Sequence, residues 1–323
     1  MKARTRLLSL LLLAPAILVL GVFVYFFIAW TGYASLTAWD QIRPLNGILP
    51  DFPLVGLDNF RALFATPRFW PNDLQNTAVF TVTFEASSLA IGIVLAILLD
   101  QRMRGEIVFR NIFLLPMAVS FVVTGTIWAW IFNPSTGINQ LLDPLGIGTV
   151  RDWLLSLPFL QPLWSVLDAL RINIFRPGLS TDPRSALGTL VIAATWQMSG
   201  FVMAMYLAGL RGIPDEVREA ARVDGASEWQ IYRRILIPML RPVTLSVIVL
   251  VGYISLKIFD LVYVMTAGGP GVSTDFPSIF LFQSAFKGSQ FAFAAAIAIV
   301  MLIISAAVVL PYMWSQLRGE GRS

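Results

Sequence analysis

The chain has 323 residues, of which 57% are hydrophobic and 13% charged, and its net charge is +4. Soluble domains carry about 25% charged residues, so this composition is typical of a protein that is surrounded by lipid. Cysteine and histidine are both absent, which excludes disulfides, thiol nucleophiles, Ser-His-Asp triads and histidine metal sites. The basic residues form no face with interleaved aromatic residues, so we expect no nucleic-acid partner.

Six segments of the chain are apolar and long enough to cross a membrane, because a helical span needs about 20 apolar residues. They cover residues 7–30, 78–99, 108–132, 187–210, 243–266 and 291–314. The predicted fold is therefore all-α, a polytopic membrane protein with six transmembrane helices. The expected divisions are an N-terminal span with the first external loop over 1–77, a core transmembrane domain over 78–314 with a cytoplasmic loop over 211–241, and a tail over 315–323.

The first apolar segment follows a basic start that is also typical of a signal peptide. The apolar part of a signal peptide covers only 7–15 residues, whereas here it continues without a break through Phe27. We therefore expect an uncleaved first span.

The distribution of Lys and Arg between the loops predicts the orientation. With the N-terminus in the cytoplasm, fourteen of these residues lie in cytoplasmic parts and eight in the longer external loops. Basic residues accumulate on the cytoplasmic side of membrane proteins, so both termini are expected there.

The two long external loops differ in character. The first, over 31–77, is rich in proline and has aromatic residues near its ends, which are typical interfacial anchors. The second, over 133–186, carries apolar residues at helical spacing between Leu163 and Ile174. That stretch is too short to span a membrane and predicts an interfacial or docking helix.

A compact helix–turn–helix is predicted between the fourth and fifth spans. Pro214 suits the first position of a helix, where its missing N–H costs nothing. Gly225 can adopt a positive φ angle and end that helix. Ser227 followed by Gln230 fits a capping box and starts a second helix, which stops near Pro238.

The same loop carries a family motif. It reads Glu219-Ala220-Ala221, three residues, Gly225, nine residues, Ile235, one residue, Ile237-Pro238. This spacing resembles the EAA loop of ABC-importer permeases, with Ile in place of the usual Leu before the proline. The resemblance implies that the loop docks into a cleft of a cytoplasmic ATPase and transmits its closure to the spans. The implied coupling residues are Glu219, Ala220, Ala221, Asp224, Gly225, Ile235 and Pro238; Glu219 would pair with a basic group of the ATPase.

Two further stretches, 109–116 and 259–271, resemble permeases of carbohydrate importers of the maltose and glycerol-phosphate type, in particular the first of their two permease subunits. This implies the type I ABC-importer permease fold, a sugar or oligosaccharide as solute, and the inner membrane of a prokaryote. The implied partners are a second permease subunit, an ATPase dimer and an extracytoplasmic sugar-binding protein. The chain has no phosphate-binding loop of its own, so ATP and Mg²⁺ are expected on the partner and no cofactor here.

Polar and aromatic groups inside the spans are the candidates for the solute pathway. Intramembrane charges are costly and usually functional, and Lys257 and Asp260, at i and i+3, are expected to form an ion pair. Sugars stack their apolar ring faces on aromatic rings, although packing or lipid-facing roles are equally open for each ring. The candidates are Glu85, Trp128, Trp130, Trp196, Gln197, Lys257, Phe259, Asp260 and Tyr263.

Three other functions stay open at this point. An ABC permease for another solute, such as glycerol phosphate or a polyamine, would carry the same loop. A secondary transporter or channel predicts repeated broken helices and no docking loop. A membrane-embedded enzyme would need a cluster of catalytic groups at one depth, which the sequence does not contain.

Overall fold

The computed structural model describes residues 13–40, 52–101, 105–133, 137, 140 and 186–320, with side chains up to residue 314. The described part is helical and contains no strand beyond an isolated antiparallel bridge between Thr37 and Leu54. The start of the predicted first span and the predicted helix near residues 163–174 lie outside the described residues.

Twelve helices are described and numbered here in chain order. They are α1 (Leu13–Ser35), α2 (Asp58–Ala65), α3 (Leu74–Asp100), α4 (Glu106–Leu114), α5 (Phe121–Ile131), α6 (Ala186–Arg211), α7 (Asp215–Val223), α8 (Glu228–Met239), α9 (Arg241–Leu256), α10 (Asp260–Met265), α11 (Pro277–Phe282) and α12 (Phe291–Glu320). π-helical turns precede α3 (Arg68–Asp73), follow α11 (Gln283–Lys287) and lie within α8 (Tyr232–Leu236), and a 3₁₀ turn (Leu115–Ala118) follows α4.

Four described helical stretches are long and apolar enough to cross a membrane: Leu13–Ser35, Arg68–Asp100, Ala186–Arg211 and Phe291–Trp314. Two bent helix pairs, α4 with α5 and α8 with α9, raise the number to six if each pair crosses once. The all-α membrane fold is confirmed, and α3, α6 and α12 cover the predicted second, fourth and sixth spans. The first span continues past its predicted end at Trp30 to Ser35.

The predicted third span is broken. The helical segments on either side of residues 119 and 120 meet at an angle of 97°. Pro116 has no N–H to continue the helical ladder, Val119 is extended (φ −91°, ψ 141°), and the Ser120 hydroxyl starts α5 by accepting a bond from the Val123 N–H at 3.3 Å. The prediction of one continuous helix over 108–132 was wrong. Hydropathy depends on side-chain polarity and does not detect the backbone N–H donor that Pro116 lacks.

The predicted fifth span is also broken. Helix α9 ends at Leu256 and the chain becomes helical again at Asp260. Between them Lys257 (φ −108°, ψ 14°) and Phe259 (φ −132°, ψ −59°) leave the helical conformation. The prediction of one helix over 243–266 was wrong, and with it the premise that Lys257 and Asp260 share a helical face.

By packing, the described chain divides into two compact units. The first contains the described residues up to Trp70 and the segment Phe280–Ile304. Its polar anchor is Asn59, whose amide Nδ2 donates to the carbonyl oxygens of Ser35 and Thr37, each at 2.9 Å. This bond pattern ties α2 to the end of the first span.

The second unit contains Pro71–Ile279 and the described residues from Ser305 onward. Helix α3 packs along α6, and the short helix α5 packs along α10. Hydroxyl pairs join the helices, Ser87 with Thr195 at 2.7 Å and Thr81 with Ser255 at 2.8 Å, as is common between membrane helices. Its buried core includes Phe80, Phe84, Leu99, Leu190, Met203, Tyr206, Leu210 and Val251. The predicted division of the chain at residues 77 and 314 stays a prediction.

Candidate functional site

The loop between α6 and α9 is the compact helix–turn–helix that the sequence predicts. Pro214 lies immediately before α7, one position earlier than expected, with φ −56° and ψ 138°. Asp215 and Glu216 occupy the first turn of α7, where acidic side chains interact favourably with the positive end of the helix. Helix α8 ends at Met239, one residue after Pro238.

The turn between α7 and α8 is closed by local hydrogen bonds. Gly225 has φ +81°, a conformation that costs glycine little and other residues more. The Ala226 N–H donates to the carbonyl oxygen of Ala221 at 3.0 Å, which closes the end of α7. A capping box starts α8, because the Ser227 N–H donates to the Gln230 side chain at 2.8 Å and the Gln230 N–H to the Ser227 hydroxyl at 3.4 Å. The predicted helix end at Gly225 and the predicted capping box of Ser227 and Gln230 are therefore both present in the structure.

Most of the proposed coupling residues lie at the surface. The exposed ones are Glu219, Ala220, Asp224, Gly225 and Pro238, whereas Ile235 is half-buried and Ala221 buried. Two large apolar side chains join this surface, Val223 at 87% and Trp229 at 65% exposure. Apolar side chains so exposed beside charged ones are typical of an interaction surface.

A buried polar network, which the sequence reading missed, holds this loop against the spans. Asp100, the last residue of α3, is 8% exposed. Its Oδ2 accepts bonds from the Arg218 guanidinium in α7 and the Tyr232 hydroxyl in α8, both at 2.7 Å. A second nitrogen of Arg218 donates to the carbonyl oxygen of Leu210 near the end of α6 at 3.2 Å. One carboxylate thus joins both helices of the loop to α3.

Electrostatics keep this network intact at neutral pH. Burial raises the pKa of Tyr232 to about 12, and its hydrogen bond to Asp100 adds to the shift. The hydroxyl therefore keeps its proton and remains a donor. Burial opposes the charge of Arg218, but the hydrogen bond and the charge of Asp100 outweigh it, so that the pKa of Arg218 is raised overall.

A cleft of about 1030 Å³ opens beside the network. Two further ion pairs border it, Arg211 with Glu106 at 2.6 Å and Arg222 with Glu228 at 2.7 Å. Its lining residues are Asp100, Gln101, Glu106, Leu210, Arg211, Gly212, Ile213, Pro214, Asp215, Arg218, Glu219, Arg222, Glu228 and Tyr232. Within the described ranges, no group of three or more acidic side chains is placed to hold a metal ion. Glu219 is thus both exposed and at the cleft.

The solute-pathway candidates on α5 and α6 form one cluster. The Trp128 and Trp196 rings meet edge to face with centroids 5.8 Å apart. Beside them, the Gln197 amide nitrogen donates to the carbonyl oxygen of Val119 at 2.8 Å, which satisfies a backbone group that the broken third span leaves free. Trp128 Nε1 and Gln197 Oε1 are buried and have no hydrogen-bond partner among the described residues. Trp130, on the same helix as Trp128, is 59% exposed.

The remaining candidates lie elsewhere on the second unit. The Phe259 and Tyr263 rings stack with centroids 5.3 Å apart. Lys257 Nζ lies 4.3 Å from the centre of the Tyr253 ring. The predicted ion pair between Lys257 and Asp260 is not formed, although both residues are described.

Glu85 lies on α3 and faces α9. Its carboxyl group packs directly against Gly252, so closely that a Cβ atom at that position would meet Oε1. The glycine therefore allows an intramembrane carboxyl group to lie between two packed helices. Glu85 is half-buried, and its role in the pathway stays a prediction.

One sequence signal for Asp100 was available. A carboxylate at the C-terminal end of an apolar helix is unfavourable next to the helix dipole, so its presence there calls for cationic or hydrogen-bonding partners. Which residues supply them depends on the fold, since Arg218 and Tyr232 lie 118 and 132 positions away in the sequence.

The whole chain is similar to several known proteins. A family model described as the binding-protein-dependent transport system inner membrane component matches residues 88–318. The chain is 42% identical to a probable ABC transporter permease protein of Pyrococcus horikoshii, covering 97% of each chain. It is 35% identical to a xylose/arabinose import permease protein of Haloferax volcanii, covering 90% of this chain and 83% of the relative.

A solved structure shares the fold. It is the crystal structure of a bacterial ABC transporter involved in the import of the acidic polysaccharide alginate, with a TM-score of 0.73 at 21% sequence identity. The likeness covers 98% of this chain and 96% of that one.

Proposed function

The chain belongs to the family of binding-protein-dependent transport system inner membrane components, and we propose that it is the permease subunit of an ATP-driven importer of a sugar or oligosaccharide. The observation that carries the proposal is the loop formed by α7 and α8. Its exposed surface, with Glu219 at the cleft, is suited to bind a partner, while Asp100 and Arg218 join it to the spans.

The partner of this surface is a cytoplasmic ATPase. Glu219 pairs with a basic group of that protein, and Val223 and Trp229 supply apolar contact area. The chain itself hydrolyses no ATP. Closure of an ATPase dimer displaces the loop, and the loop moves the spans so that the solute cavity opens to alternate sides of the membrane.

Two further partners complete the importer. A second permease subunit closes the pathway, and an extracytoplasmic binding protein delivers the solute. The chain lies in the inner membrane of a prokaryote with both termini in the cytoplasm. This orientation agrees with the excess of Lys and Arg in the segments assigned to the cytoplasmic side.

Three observations support a sugar as the solute. The relative from Haloferax volcanii is named for xylose and arabinose import. Trp128 with Trp196, and Phe259 with Tyr263, offer aromatic faces to the apolar face of a sugar ring. The buried Trp128 Nε1 has no partner among the described residues, and such groups in native proteins call for an explanation; movement of this cluster during the transport cycle would give a sugar hydroxyl access to that donor.

A secondary transporter is the competing function. It predicts broken helices, and the third and fifth spans are indeed broken. It also predicts no docking loop, whereas the loop between α6 and α9 is present with its network of ion pairs. The loop and the family therefore favour the importer.

A tagged pull-down from native membranes in mild detergent tests the proposal. We expect a second six-span permease and a cassette ATPase to co-purify with the chain. Glu219→Lys combined with Gly225→Val should release the ATPase and retain the second permease. Recovery of the folded chain alone, with transport that survives both substitutions, would contradict the proposal.

The docking face and the orientation can be tested together because the chain has no cysteine. Val223→Cys introduces a single thiol on α7, and Leu54→Cys, at a side chain that is 68% exposed, introduces the matched control in the first external loop. In intact cells, a membrane-impermeant maleimide should label position 54 alone. In membranes, position 223 should cross-link to the ATPase; cross-linking from position 54, or external labelling at 223, would contradict the assignment.

A further inference from the structure

Helix α7 is the first helix of the loop between α6 and α9, which is called the coupling loop below, and it has little apolar attachment to the rest of the protein. Of the nine residues in α7, Ala221 alone is buried. Helix α7 is fully described, so this statement covers all of it. An element that packs so few apolar atoms can slide over its neighbours, because dispersion contacts have no direction and are individually weak. Its position must be fixed by other contacts.

A buried carboxylate at the end of α3 supplies one set of these contacts. The side chains of Asp100 and Arg218 are 5% and 14% exposed, and their ion pair measures 2.7 Å. The same Asp100 oxygen accepts the Tyr232 hydroxyl bond, so that α7 and α8 are both attached at the end of α3. Arg218 also reaches Leu210 at the end of α6. The network therefore connects the loop to the two continuous helices that pack along each other in the second unit.

Directional bonds of this kind transmit displacement in a way that apolar contacts do not. Charge-assisted hydrogen bonds are short and geometrically specific, and a buried ion pair is costly to separate because both charges have lost their water. A displacement of α7 must then either break the pair or carry the end of α3 with it.

We propose that Asp100 is the point through which movement of the coupling loop passes to the membrane-spanning helices, with Arg218 and Tyr232 as the positioning residues that hold it. This inference rests on the proposed function, since it assumes that an ATPase displaces the loop. Loss of the network would leave ATP hydrolysis intact and separate it from solute movement.

The test uses the whole complex, purified with its partners from native membranes and reconstituted in proteoliposomes. ATP hydrolysis and uptake of radiolabelled maltose or xylose are measured together, and their ratio is compared. Asp100→Asn keeps the shape of the side chain and removes its charge, and Tyr232→Phe removes the second donor. Coupling free energies of ordinary size correspond to factors of about 5 to 150, so we expect sugar moved per ATP hydrolysed to fall at least about fivefold in Asp100→Asn.

Two controls separate transmission from simple stability. Asp58→Asn removes an exposed ion pair of 3.0 Å with Arg61 that lies outside the loop and its cleft, and its ratio of sugar to ATP should equal that of the wild type. Exchanging the two charges, Asp100→Arg with Arg218→Asp, should recover part of the ratio that either single substitution loses.

Each outcome has one meaning. Normal assembly and hydrolysis with a lower ratio in Asp100→Asn and Tyr232→Phe supports the inference. A wild-type ratio in both variants overturns it, and so does a parallel loss of hydrolysis and uptake that follows the amount of assembled complex. A wild-type preparation without any ATPase would instead contradict the proposed function.

Discussion

The coupling loop and the two broken spans both interrupt regular helices, and they satisfy the backbone groups at the interruption in different ways. In the loop, Gly225 and the capping box of Ser227 close the helix ends with local bonds, and a buried ion pair attaches the whole to α3. In the broken spans, single neutral side chains from other helices bind the freed carbonyl oxygens. Gln197 donates to Val119 at 2.8 Å, and Ser278 donates to Ile258 at 2.5 Å.

This difference predicts which of the two regions changes its conformation first when the ATPase displaces the loop. Hydrogen bonds to charged groups contribute about 1.5–3 kcal/mol, whereas neutral ones contribute about 0.5–1.5 kcal/mol. The loop is therefore expected to move as one body with the end of α3. At the breaks near residues 119 and 258 the side-chain bond from another helix is neutral, and these breaks are the expected hinges of the transport cycle. Four substitutions test this contrast.

Removal of the Asp100 carboxylate should have the largest effect. Asp100→Ala leaves the buried Arg218 charge without its partner, which typically lowers the free energy of unfolding by about 3–5 kcal/mol. Thermal unfolding of the detergent-purified complex measures it. Asp58→Ala, which breaks an ion pair with Arg61 whose side chains are 66% and 77% exposed, is the matched control and should cost no more than about 1 kcal/mol. Equal effects of the two substitutions would contradict a buried anchor.

The next effect is expected at the break of the third span. Gln197→Leu removes the donor to the carbonyl oxygen of the half-buried Val119, and an acceptor that loses its partner away from water costs about 1–3 kcal/mol. The neighbouring Ser199→Ala serves as a control, because among the described residues that hydroxyl bonds within its own helix, to the carbonyl oxygen of Trp196 at 3.4 Å. Unfolding midpoints in denaturant should fall for the first variant only; unchanged midpoints for both would mean that this bond does not hold the break.

A smaller effect is expected in the loop itself. Ser227→Ala removes the side-chain cap of α8 and should cost about 1 kcal/mol. Hydrogen exchange at the first amides of α8 should quicken, while exchange in α3 should not change. Ser227→Asp keeps a capping oxygen and should behave as the wild type. Faster exchange in both variants would show that the capping box does not hold this turn.

The smallest effect is expected at the break of the fifth span. Ser278→Ala deletes one neutral bond to Ile258, and such bonds contribute about 0.5–1.5 kcal/mol. Ser278 is only half-buried, so water can replace its hydroxyl in part. Both variants are measured in the same denaturant series. A larger loss of unfolding free energy in Ser278→Ala than in Gln197→Leu would contradict the expected order of these two effects.

The sequence predicted the loop well because its signals are local. Pro214, Gly225 and the pair Ser227 and Gln230 act within a few residues of their own positions, so their spacing is sufficient. The two breaks and the anchor were missed because they depend on distant residues, such as Gln197, which lies 78 positions from the carbonyl group that it binds. The hydropathy of the sequence was sufficient to locate the apolar segments. It could not indicate where a helix within such a segment ends.

ATP-driven uptake into proteoliposomes tests the central claim most directly. The complex purified through this chain is reconstituted, and uptake of radiolabelled maltose or xylose is followed with and without ATP and with ionophores that collapse ion gradients. An importer predicts uptake that requires ATP, that ionophores do not affect and that Glu219→Lys abolishes. Uptake that proceeds without ATP, stops with the ionophores and survives Glu219→Lys would contradict it and favour a secondary transporter.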